Sequence, residues 1–117
     1  MPVEVSDDVF ERLVDDGLDM IPHELLALLD NVVILIEARP GPDEPQDLLG
    51  LYDGVPLTER GDYAGVLPDR IFIYREPLLA MCDSEEELAE EVAITVVHEI
   101  AHFFGIEDEA LHQMGWG

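Results

Sequence analysis

Lysine is absent from this chain, and all five of its basic residues are arginine. Against them stand 28 acidic residues, for a formal net charge of −23 over 117 residues. A surface so charged repels phosphate backbones, which argues against nucleic acid as a partner. It attracts cations and basic peptides, although a solvated acidic surface is the plainer reading of the bias. Cysteine occurs once, at Cys82. That excludes an intramolecular disulfide and any zinc cage built mainly from thiolates. Long apolar runs are missing as well. The most apolar stretch, residues 25–36, is interrupted by Asp30-Asn31 and is too short to span a bilayer. The opening MPVEVSDDVF carries early acids and no apolar signal core. The expectation is a cytoplasmic protein with no membrane contact.

What is present suffices for a core. The chain is 48% hydrophobic, enough for a single domain over residues 1–117. Ser6, followed by Asp7 and Asp8, predicts a capped helix start. Val9, Phe10, Leu13 and Val14 form an apolar stripe at helical spacing, with Gly17 as the expected stop. Pro22 suits the first turn of a second helix carrying Leu25, Leu26, Leu28 and Leu29. The β-branched run Val32 to Ile36 predicts a buried strand, and Ile71 to Tyr74 a second strand. Residues 40–45, PGPDEP, form a loop. Ser84 with Glu87 three residues on matches a capping box. The helix it opens is expected to run to about Phe104, with Gly105 as its stop, followed by a helical turn at 108–113. Helices, then strands, then a long helix make the fold class α+β.

That long helix carries His98-Glu99-Ile100-Ala101-His102. Residues four apart share a helix face, with Cβ atoms about 5–6 Å apart. Both imidazoles can therefore reach one metal ion at about 2.0–2.1 Å from each nitrogen. Glu99 lies about 100° around the helix, beside the metal, where it can hold and deprotonate a metal-bound water. The pattern continues as His98-Glu-x-x-His102-x-x-Gly105-x-x-Asp108. Gly105 allows a left-handed turn, after which Asp108 can approach the metal as third ligand. Glu107, Glu109 and His112 are rivals for that position. Cys82 would be the fourth ligand if the zinc were structural.

The extended motif resembles the zincin metallopeptidases, in particular their HExxHxxGxxH/D, metzincin-like branch. More closely, the chain is similar to a family of small bacterial zincin-like proteins. The similar residues run from Gly54 to Arg60, from Leu67 to Arg75, and from His98 through Asp108 to Leu111 and Gly115. The resemblance implies a minimal zincin-like fold: N-terminal helices and a small twisted mixed sheet over a long C-terminal active-site helix. It implies Zn2+ as cofactor, His98, His102 and Asp108 as metal ligands, and Glu99 as catalytic base. Two departures stand out. Aspartate replaces the histidine of the metzincins at the third position, and Met114 is the one methionine available for a methionine turn, with a core role the plainer reading. With nine residues after Asp108, a distant glutamate ligand is not expected.

The reaction that follows is zinc-dependent hydrolysis of a peptide bond in a peptide or protein substrate, basic in keeping with the charge. The substrate would add as a strand to a sheet edge at residues 63–67 or Ile71 to Tyr74. Tyr63 and Tyr74 are candidates to stabilise the oxyanion. Three other readings use the same residues. One is a zincin-like binding protein that hydrolyses nothing. Another is a non-haem iron oxygenase built on two histidines and one carboxylate. The third is an RNA-maturation hydrolase, opposed by Glu99, which stands where those enzymes carry glycine, and by the charge.

Overall fold

The computed structural model describes residues 3–29, 31–56, 68–106 and 108–113, with only the backbone described for Asp108, Leu111 and His112. Helix α1 spans Asp7–Leu18. Its cap is Ser6, whose Oγ accepts from the Val9 amide at 3.2 Å. Phe10, Leu13 and Val14 form its buried stripe. Gly17, expected to end the helix, lies inside it and is buried. A Cβ at Gly17 would sit 3.1 Å from the Cα of Ala93. The glycine is a packing notch, where α1 meets a later helix backbone to backbone, and not a stop. Helix α2 is short, His23–Leu26, with Pro22 as its N-cap. Leu25 and Leu28 project into solvent.

Three strands follow: β1 (Val32–Glu37), β2 (Gly50–Asp53) and β3 (Asp69–Tyr74). They form one mixed sheet in the order β1-β3-β2, parallel between β1 and β3 and antiparallel between β2 and β3. Asn31, at φ 60°, turns the chain into β1. Strand β1 corrects the expectation of a buried strand, because its residues alternate between half-buried and exposed. Val33 and Leu35 face outward beside Arg70 and Phe72 of β3, because the helices pack on the opposite face of the sheet. Strand β3 is central, with Ile71 and Ile73 fully buried.

Helix α3 (Arg75–Met81) leaves β3 directly, and α4 (Glu85–Phe103) follows. The start of α4 is capped by Ser84 as expected, while Glu87 reaches back past the cap residue to the Asp83 amide. Ser84 Oγ accepts from the Glu87 amide at 3.1 Å, and Glu87 Oε1 accepts from the Asp83 amide at 2.7 Å. Helix α4 packs on α1 and crosses β2 and β3. The core gathers Phe10, Leu13, Val14, Ile71, Ile73, Leu78, Leu88, Val92 and Val96 between these elements. Phe104 caps α4, and Gly105 takes φ 79°. The Ile106 amide donates to Ala101 O and the Gly105 amide to His102 O, both at 2.9 Å. This is a Schellman turn, which only glycine makes without strain at that φ. Helix α5 (Asp108–Gln113) begins three residues later.

Candidate metal centre

His98, Glu99 and His102 lie on the last two turns of α4. Their position follows from sequence alone: the Ser84 cap fixes the start of the helix, and Gly105 ends it one turn past His102. The two imidazoles stand 4.7 Å apart, centroid to centroid, and nearly perpendicular at 77°. Glu99 Oε1 lies 3.1 Å from His102 Nδ1. Each of the three residues offers a donor atom within 4.8 Å of the others. Two imidazoles and a carboxylate at this spacing suit a borderline-soft divalent ion such as zinc. Among the described residues no other group of three potential ligands comes together.

Glu99 is only 6% exposed. A buried carboxylate needs a partner, and the His102 contact supplies one. Its position also depends on β2. A Cβ at Gly50 would lie 2.8 Å from Thr95 Cγ2 and 3.2 Å from Glu99 Cγ. Strand β2 therefore lies directly on the Thr95–Glu99 face of α4, an approach that a side chain at position 50 would block. Thr95 takes part from the helix side. Its hydroxyl donates to Glu91 O at 2.8 Å, while its methyl faces Gly50.

Beside His98 and Glu99 opens a cleft of about 500 Å³. One wall is Ile94 and Thr95 on α4, and the other is Leu48 and Leu49 on the approach to β2. The preceding loop is held in place by Gln46. Its amide donates to Gly41 O at 2.9 Å and to Glu44 O at 3.1 Å. The outer edge of β2 pairs with no strand among the described residues.

Other predicted site residues fare differently. The side chains of Asp108 and His112, the whole of Glu107, and residues 57–67 with Tyr63, like Met114, lie outside the described residues. The Asp108 backbone opens α5 just past the Schellman turn. Glu109 is exposed. Cys82 is fully buried and stands apart from the histidine group, so the reading of a structural zinc with Cys82 as fourth ligand loses that ligand. Burial and the neighbouring acids Glu87, Glu91 and Asp83 push its thiol up to about 11. Ile71 to Tyr74 cannot receive a substrate strand, because β3 is flanked on both sides. Tyr74 is buried and donates to Glu44 Oε2 at 3.2 Å. Burial first, then the Glu44 charge, raises its pKa to about 12. Sequence reasoning missed the cleft wall. Glu91, Thr95 and His98 follow one another at helical spacing, and that was the available signal.

Comparison with known proteins agrees with this geometry. Residues 29–116 match the zincin-like metallopeptidase family. The fold matches that of a conserved hypothetical protein from T. thermophilus, with a TM-score of 0.57 and 24% identity. The match covers 93% of this chain and 99% of that one. No curated protein matches the chain.

Proposed function

The chain belongs to the zincin-like metallopeptidase family, and on that premise we propose that it is a zinc-dependent peptidase. His98 and His102 would hold the ion, Asp108 would complete the ligand set, and Glu99 would be the general base. The observation that carries the reading is the placement of Glu99. Its carboxylate is buried, contacts a candidate ligand and lines a cleft. A zinc ion bound there supplies Lewis acidity and lowers the pKa of water towards about 7. Glu99 takes the proton of the attacking water and delivers it to the leaving amine.

The substrate would run along the outer edge of β2, which pairs with no strand among the described residues, adding an antiparallel strand above Glu99. Edge pairing fixes the peptide through its backbone, so side-chain selection falls to the cleft. A non-catalytic binding protein would have little use for a buried carboxylate at the end of a groove. Of the two readings, the cleft beside Glu99 favours hydrolysis.

The test loads purified protein with zinc, offers a peptide library and compares the chain with Glu99→Ala. The variant should keep its zinc and lose about 100-fold or more in cleavage rate. Equal cleavage by both proteins would remove Glu99 from the role of base. Iron in protein purified without added metal, with an oxygen-dependent reaction, would favour the oxygenase reading instead.

A further inference from the structure

We infer that the cleft beside His98 and Glu99 selects a long basic side chain, lysine or arginine, close to the scissile bond. The inference rests on the peptidase reading and adds a substrate class to it. The cleft combines apolar and acidic residues. Ile94, Leu48 and the methyl of Thr95 supply the apolar lining, Glu91 lies beyond Ile94 along α4, and Asp47 also lines the cleft. Glu91 precedes His98 by two helical turns on the same face of α4, about 10 Å along the axis at 1.5 Å per residue. Along α4 the chemistry of the wall therefore changes in the order that a basic side chain requires. Methylene groups would lie on Ile94 and Leu48, and the cation would meet the carboxylates.

Three observations support an organic cation as the occupant. Among the described residues, no arginine pairs with Glu91 or Asp47. Neither acid belongs to a group of three potential metal ligands, so an inorganic cation lacks a cage there. Glu91 is half-buried, where water screens a pairing partner less than at an open surface. The net charge of −23 adds attraction at long range. Long-range attraction alone cannot choose a position within a peptide; a pocket can.

The experiment uses the zinc-loaded full chain and peptides that differ at one residue, arginine against its neutral isostere citrulline, placed at successive positions. Cleavage by the wild type and binding to Glu99→Ala are both measured. At one position, arginine should be favoured about tenfold, the effect of one charge-assisted hydrogen bond. Glu91→Gln should bring that ratio close to one. Glu24→Gln, the same charge change on α2, should leave it intact. Cleavage that ignores the substitution at every position overturns the inference and leaves the peptidase standing. Position-dependent arginine binding without cleavage sustains the pocket and overturns the peptidase. A preference lost equally in Glu24→Gln reduces the effect to net charge and overturns the pocket.

Discussion

At the scale of single residues, Gly50 sets how closely β2 lies on the Thr95–Glu99 face of α4. Its missing Cβ allows Thr95 and Glu99 to pack under β2. Gly50→Ala should cost about 1–3 kcal/mol through overpacking and should lower activity through Glu99. Thr95→Ser removes the methyl that the new Cβ meets and keeps the hydroxyl that donates to Glu91 O. The double variant should therefore recover part of the lost stability, and a double-mutant cycle by urea unfolding measures that coupling. Strict additivity would show that the contact is not the cause. Cys82 and Tyr74 make a second residue-scale prediction. In the unfolded chain they titrate near 9.0 and 10.0, in the fold at about 11 and about 12. Below pH 9 both are protonated in either state and their contribution is fully present. As pH rises from 9 towards 11, the unfolded chain releases a proton that folded Cys82 retains. Stability then falls, by about 1.4 kcal/mol per pH unit for each such group. Urea titrations between pH 8 and pH 10 should show this decline, with a smaller slope in Cys82→Ala. A flat profile would contradict the burial argument.

At the scale of elements, α4 was the most legible part of the chain, because its signals are local. Ser84 and Glu87 mark its start, Gly105 its end, and the histidines lie between. Gly105→Ala forces a side chain into a left-handed position, at a cost of about 1–2 kcal/mol. It should also reduce zinc affinity, if Asp108 is delivered by that turn. Zinc titration of Asp108→Ala against Glu107→Ala and Glu109→Ala decides the third ligand. The first should lose affinity and the other two should keep it. The less legible elements are those set by tertiary contact. Strand β2 follows a proline-rich loop, and its short stretch, Gly50–Asp53, carries little periodicity. Helix α3 begins at the residue after β3, with Pro77 in its first turn and no capping side chain. Strand β1 looked buried on composition, but the helices cover one face of the sheet only, and Val33 and Leu35 lie on the other face with Arg70 and Phe72 of β3. Gly17 looked like a stop because nothing local reveals that Ala93 passes alongside it. The metal group could be read from one helix. Its cleft could not, since half of that cleft comes from residues 45–50.

At the scale of the whole molecule, charge and metal should act on stability separately. Among the described residues, Arg39 pairs with Glu76, Arg70 with Asp53 and Arg75 with Asp7, all at or near the surface. Each such pair contributes about 0–1 kcal/mol, and the acidic excess remains largely unneutralised. Salt that screens this repulsion should raise the melting temperature of the wild type and of a His98→Ala, His102→Ala double variant alike. Zinc has a different signature. Bound only by the folded state, at 100 times its dissociation constant, it should stabilise by about 2.7 kcal/mol. For a chain of this length that corresponds to about 10 °C. The double variant should lose this increment and keep its response to salt. Calcium at the same concentration supplies the charge without suiting the imidazoles, and should act on both proteins equally. Melting curves in sodium chloride, calcium and zinc therefore separate the acidic surface from the histidine site. An equal zinc response in the two proteins would place the bound ion on the surface carboxylates and remove the case for a metal centre on α4.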